Sequence, residues 1–234
     1  MPLLTILILA IAIAAIIGLF LNFRFLLYPL IPSLNPTAQT KQIKLRGSTL
    51  VISDLHLKSN QPFKYPSDLR NFIETREVSN LIVNGDLFNS SEDARKVLGS
   101  PPETPGVLGE LGLDGLPLNL FWVVGSPAHD PSNLLSGRST LGTFEILGKC
   151  ALVSFGHAWN RFISKLSLER LWKRIAKVDR TLWVFFGHTH ISGVDSRHRV
   201  ANSGGWQKVP FVKPTKTGLL ISEGNDAPEL VKIA

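Results

Sequence analysis

The sequence predicts an α/β domain behind one N-terminal transmembrane helix, and three observations predict it. Five short apolar runs, rich in β-branched and aromatic residues, recur between residues 50 and 186. Segments of helical or loop character separate them. Ahead of them all stands a run without charge, Leu3 to Leu21, 19 residues long with Thr5 as its only polar member.

That first run just spans a bilayer core at ~1.5 Å of rise per residue. A cleaved signal peptide would want a basic start, a shorter apolar core and small residues at a cleavage site. Here no Lys or Arg precedes the run, and the bulky "LNFRFLLYPLIP" comes after it. Residues 3–22 therefore read as an uncleaved anchor. Arg24, Lys41, Lys44 and Arg46 lie on its C-terminal flank, which places the rest of the chain on the cytoplasmic side by the positive-inside rule. Residues 23–46, with Pro29, Pro32 and Pro36, read as a linker, and 47–234 as the folded domain.

Within the domain the runs are "LVIS" (50–53), "LIVN" (81–84), "LFWVV" (120–124), "ALVSF" (151–155) and "LWVFF" (182–186). They are too short for buried helices and apolar on both faces, so they are expected as central strands of a covered sheet. Residues 66–78 and 158–177 have helical character. The stretch 90–119 reads as a long loop with a short helix at its start. "TGLLISE" and "ELVKI" near the end read as strands of a second sheet.

The totals exclude some classes. With 44% hydrophobic and 18% charged residues, the chain is not a disordered polyelectrolyte. The single cysteine, Cys150, rules out an intramolecular disulfide. Net charge is +7, and the stretch from Arg161 to Lys216 is rich in basic residues and poor in acidic ones. That favours an anionic neighbour: a phosphorylated substrate, a lipid headgroup surface or nucleic acid.

The residues just past each run carry the chemistry. "LVIS" leads into Asp54-Leu55-His56, "LIVN" into Gly85-Asp86 and "LFWVV" into "GSPAHD", which holds His129 and Asp130. "ALVSF" leads into Gly156-His157, and "LWVFF" into Gly187-His188-Thr189-His190. Five of the six histidines thus sit just past the carboxyl ends of strands, where open α/β sheets place ligands. In an extended segment i and i+2 share a side, so Asp54 with His56, and His188 with His190, could each reach one ion. Carboxylate and imidazole together suit Mn, Fe or Zn; Mg and Ca prefer all-oxygen cages. Each piece alone is ordinary: Gly-Asp after a strand is a common turn, and a lone histidine is usually structural. Their joint order points to metal.

This ordered set resembles the calcineurin-like metallophosphoesterase superfamily, whose pattern runs Asp-x-His, Gly-Asp-x-x-Asp, Gly-Asn-His-Asp/Glu, a lone His, then Gly-His-x-His. "ANSGGW" (201–206) is similar to the segment that often closes these domains. The resemblance covers residues 49–206. It implies a four-layer α/β/β/α sandwich of two mixed sheets with a dinuclear centre, manganese being the favoured metal. Asp54, His56 and His190 would hold one ion, Asp86 would bridge, and His157 and His188 would hold the other. Two departures stand out. Asn89 occupies the second Asp position, and "GSPAHD" is two residues longer than the family tetrad and lacks its Asn. Either Ser126 or water replaces that amide oxygen, or His129 moves in to ligate, or the second site is weak.

The function this implies is a membrane-anchored, metal-dependent hydrolase of phosphoester or pyrophosphate bonds. His129 is the candidate general acid, oriented by Asp130. Small phosphorylated or lipid-linked molecules are the expected substrates, with the 158–177 region as a basic amphipathic helix beside them. Two alternatives stay open: a degenerate scaffold, suggested by the missing Asn, and a nucleic-acid-acting phosphodiesterase. The latter lacks an aromatic stacking array, so nucleic acid is the weaker expectation.

Overall fold

The computed structural model describes residues 13, 42–98, 104–123, 125, 129–130, 141–146, 149–154, 166, 169–170, 173–174, 178–208, 213–225 and 227–234. Of the anchor segment 3–22, only Ile13, helical and exposed, falls among them. No described helix is long and apolar enough to cross a membrane. Most of 158–177 also lies outside the described residues, although Glu169, Arg170, Lys173 and Arg174 are helical.

Among the described residues, eleven strands and three helices succeed one another. They are β1 (Gln42–Leu45), β2 (Ser48–Ile52), α1 (Pro66–Thr75), β3 (Val78–Asn84), α2 (Ser91–Leu98), α3 (Thr104–Glu110) and β4 (Asn119–Val123). Then come β5 (Leu141–Ile146), β6 (Lys149–Ser154), β7 (Trp183–Phe186), β8 (Gly193–Asp195), β9 (Val200–Asn202), β10 (Thr217–Ile221) and β11 (Glu229–Lys232).

They form two mixed sheets, one ordered β1-β5-β6-β7-β9-β8 and the other β11-β10-β2-β3-β4. The expected apolar runs are therefore divided between sheets: β2, β3 and β4 run parallel in one, while β6, β7 and β9 run parallel in the other. The two late strands extend the sheet of β2 through antiparallel pairs.

Side-chain alternation explains why both faces are apolar. Val51, Ile82, Val123 and Leu219 point to one side and pack with Trp183, Phe185 and Ala201 of the other sheet. Leu50, Ile52, Leu81, Val83 and Leu220 point the opposite way, onto Leu69 and Ile73 of α1 and Ala94 and Leu98 of α2. Val184, Phe186 and Val200 face outward from the six-stranded sheet and meet Leu166 and Val178. Each such side chain contributes about 1.5–3 kcal/mol of burial, enough to fix strand register, since a slip of one residue would invert both faces.

Five expectations change. The two late strands join the sheet of β2, β3 and β4 rather than forming a second one, and the 90–119 stretch holds a second helix, α3. Gln42–Leu45, expected in the linker, is a strand paired in parallel with β5. The run that begins at Leu120 falls on an edge strand, β4, rather than a central one, and Asn119 at the start of that strand is exposed. Helix α1 ends at Thr75 rather than residue 78, because Glu77 turns left-handed (φ 48°) and Val78 opens β3. Pro66 in its first turn fixes φ without sacrificing a needed N–H.

A candidate metal centre at the carboxyl ends of both sheets

The carboxyl ends of β2, β3, β7 and β9 meet at one end of the sandwich and are stitched across the sheets. Ser53 Oγ lies 2.7 Å from Ser203 Oγ and donates to the Gly204 carbonyl at 2.8 Å. Asn84 Nδ2 donates to the Phe185 carbonyl at 3.2 Å. The Trp206 amide donates to the Asp54 carbonyl at 3.1 Å, so the closing "ANSGGW" segment buttresses the first motif. Along the same end, the Asp54 amide donates to the Gly85 carbonyl and the His56 amide to the Asp86 carbonyl.

The chain does not leave the strands extended. Asp54, His56, Asp86, His188 and His190 all have positive φ, between 47° and 70°. Such left-handed conformations cost of order 1–3 kcal/mol each for residues with side chains and cluster where function demands them. Asp54 and His56 do share one group, as the i, i+2 spacing suggests, but through left-handed turns rather than extended backbone. The second pair separates: His190 joins Asp54 and His56, whereas His188 joins Asp54 and Asp86. In each group the potential ligand atoms lie within 4.8 Å of one another. A third group combines His56, Asp86 and His129. His157 lies outside the described residues.

Individual contacts draw the cluster together. His190 Nε2 is 3.3 Å from Asp54 Oδ1, and its ring stacks on that of His56 with centroids 5.4 Å apart. His188 donates its amide to Asp54 Oδ2 at 2.8 Å and holds Nδ1 3.8 Å from Asp86 Oδ2. His129 sits edge-on to His56 at 4.8 Å. Its Nδ1 is 2.7 Å from the Asn89 carbonyl, an oxygen that can only accept, so Nδ1 carries a proton and Nε2 is left for the site.

Asp130 does something other than orient His129. Its carboxylate is fully buried and accepts from the amides of Gly125 (3.0 Å), Phe88 (3.2 Å) and Leu87 (3.3 Å) and from the Trp122 indole (3.4 Å). It thereby fixes the turn after Asp86 against the loop that bears His129. The positioning contact for His129 is the Asn89 carbonyl instead, at the position where the family pattern has Asp. Burial, and then the Asp86 charge, push the Asp130 carboxyl up to about 7 against these donors.

The donor set fits a divalent cation. Asp54 is wholly buried, and its Oδ1 accepts no hydrogen bond among the described residues. Burial, followed by the neighbouring Asp86 charge, raises the Asp54 carboxyl well above the usual range. Two buried carboxylates held side by side are costly without a positive charge, and imidazoles beside them offer neutral lone pairs. A cation supplies that charge.

Several supporting residues carry no chemical signature in the sequence. Asn202 Nδ2 donates to the Gly187 carbonyl (3.2 Å), to Thr189 Oγ1 (2.9 Å) and to Glu169 Oε1 (3.1 Å), bracing the His188–His190 loop. Gly205 lies so close to His190 that a Cβ there would meet Nδ1 at 2.1 Å. Gly125 is likewise pressed on Asp86, where a Cβ would meet the backbone nitrogen at 2.2 Å. Only resemblance singles out the "ANSGGW" segment that holds Asn202 and Gly205, and it assigns them no contact.

No family profile matches the sequence, and no curated protein does. Solved structures do. A Vps29 double mutant from Entamoeba histolytica is 16% identical with a TM-score of 0.50, over 80% of this chain and 99% of that one. Wild-type Vps29 from the same organism, complexed with zinc, is 16% identical with a TM-score of 0.49, over 80% and 99%. Yfce, a phosphoesterase from E. coli, is 12% identical with a TM-score of 0.45, over 80% and 100%. At such identities the likeness concerns the fold: the chain has the two-sheet α/β fold of calcineurin-like metallophosphoesterases.

Proposed function

We propose that the protein is a metal-dependent hydrolase of phosphoester or pyrophosphate bonds. The observation that carries this reading is the convergence of Asp54, His56, Asp86, His188 and His190 from three strand ends on one cluster. Asp54, His56 and His190 would hold one cation, and Asp86 with His188 the other, completed by His157. Divalent cations so held supply Lewis acidity that lowers the pKa of water and neutralises charge developing on phosphoryl oxygens. Manganese, iron and zinc all suit the donors.

The chain's own residues do the rest. The paired carboxylates of Asp54 and Asp86 would supply the negative charge that attracts the cations. His129, with Nδ1–H held by the Asn89 carbonyl, presents Nε2 to the cluster; only the doubly protonated ring carries a proton on Nε2, and in that form it can give this proton to the departing oxygen. The run Leu3–Leu21 supports tethering to a membrane with the domain on the cytoplasmic side, and hence a small phosphorylated or lipid-linked substrate.

The test uses the full chain in detergent micelles, stripped of metal and reloaded with Mn, Fe or Zn in turn. Nitrophenyl phosphate, bis(nitrophenyl) phosphate and a nucleoside diphosphate ester serve as substrates, beside Asp86→Asn. We expect metal-dependent turnover that the variant loses. Absence of turnover with every metal and substrate would overturn the reading. For His129→Ala, a loss confined to substrates with poor leaving groups is expected of an acid; equal loss on activated ones excludes that role.

A further inference from the structure

At the end of the six-stranded sheet opposite the metal ligands lies a cavity of about 830 Å³. Its walls come from the helical residues Arg170, Lys173 and Arg174, from residues 178–180 ahead of β7, and from Arg197 and His198 in the β8–β9 turn. His188 and His190 lie past the carboxyl end of β7, whereas these segments precede the amino ends of β7 and β9. At ~3.3 Å per residue, the length of β7 and its flanks separates the two by roughly 20 Å. Among the described residues, five Arg or Lys line the cavity against one carboxylate, that of Asp179.

These cations divide into two sets. One builds the frame. Lys173 is buried and donates to the carbonyls of Leu182, His198 (3.0 Å) and Arg199 (3.3 Å), tying its helical turn to both β7 and the β8–β9 turn. Arg170 pairs with Asp195 at 2.6 Å, which also holds the His198 ring at 2.9 Å. Asp179 spends its carboxylate on the amide and hydroxyl of Thr181, both at 2.7 Å. The other set is Arg174, Arg180 and Arg197, all exposed, with no carboxylate partner among the described residues.

Three such guanidiniums lining one pre-braced concavity leave it with positive charge that an anion would balance. Guanidinium forks match phosphate oxygens in pairs, and the volume suits a ligand of headgroup or nucleotide size. We infer that this cavity is a second, non-catalytic binding site for a phosphate-bearing ligand, held by Arg174, Arg180 and Arg197. The shared chemistry is a phosphate group, on a lipid headgroup or on a free small molecule. The inference stands apart from the proposed hydrolysis, and metal-stripped protein tests it with the metal centre silenced.

The experiment titrates inorganic pyrophosphate into the metal-free full chain by calorimetry. Saturable binding is expected, weakened at least tenfold by Arg174→Ala with Arg197→Ala. Arg174→Lys with Arg197→Lys should fall between, because charge survives but the fork does not. Lys96→Ala, on α2 against the other sheet, should leave binding unchanged, and circular dichroism checks that all variants fold. No saturable binding, or equal weakening by Lys96→Ala, overturns the site. A second arm embeds the chain in nanodiscs of phosphatidylcholine, with or without phosphatidylglycerol, and follows amide exchange over residues 178–200. Protection in the anionic discs that pyrophosphate reverses identifies a headgroup; pyrophosphate binding with identical exchange in both discs identifies a free ligand.

Discussion

Gly205→Ala is the most specific perturbation of the candidate centre, because it adds one methyl group against one ligand. The added carbon would stand 2.1 Å from His190 Nδ1, 2.7 Å from Cγ and 3.0 Å from Cε1, whereas ordinary contact begins at 3.4 Å. The ring must therefore retreat by at least 1.3 Å, the difference between 3.4 and 2.1 Å. Gly205 is not among the positive-φ residues, so alanine adds no backbone strain and the clash is the whole effect. Metal–ligand distances tolerate about ±0.2 Å, so the displaced imidazole can no longer complete the group with Asp54 and His56. Losing one of three ligands should weaken the first cation by about 100-fold or more, which is ~2.7 kcal/mol. Calorimetric titration of Mn or Zn into metal-free protein, with a thermal melt beside it, reads this directly. Affinity within twofold of the parent would show that His190 holds no metal, and the ligand assignment would fall.

Asp130→Ala strands three amides and an indole N–H, and should cost roughly 3–5 kcal/mol in urea unfolding, with Asp130→Asn distinctly milder. Asn202→Ala unbraces the His188–His190 loop and should weaken metal binding by about 10–100-fold in calorimetry, with little change in secondary structure. Metal-free and metal-loaded protein should respond oppositely to acid. With its carboxyl raised by burial and Asp86, folded Asp54 binds a proton at a pH where the unfolded chain does not. The metal-free form should therefore gain stability as pH falls from neutral towards ~3.9, the loaded form losing it as protons displace the cation. Melting temperatures across that range check the crossing.

Much of the fold and the centre is legible in the sequence because buried strands and metal ligands leave short, local signatures. "LIVN" and "LWVFF" could hardly be anything but covered strands, and each runs directly into its carboxylate or imidazole. Which run belongs to which of the two sheets is hidden, because a residue apolar towards a sheet and one apolar towards a helix read alike. β5, "LGTFEI", carries no strand signature because Gly, Thr and Glu interrupt its apolar residues. The partition of His188 and His190 between groups is reached through the resemblance alone, because the left-handed backbone that produces it leaves no side-chain pattern. The role of Asp130 is obscured for a related reason: adjacency to His129 suggests a partnership, but its oxygens face the amides just past β3.

The placement of β1 bears on how the protein is best trimmed. β1 is antiparallel to β7 through β5 and β6, so the chain enters at the end that carries the metal ligands and runs away from it before β2 returns. A soluble fragment starting at Gly47 would remove that strand and leave β5 as a bare rim of amides and carbonyls. Neighbouring molecules would then zip together along it, and turbidity would be mistaken for an unstable fold. Cutting a few residues ahead of Gln42 keeps the rim closed.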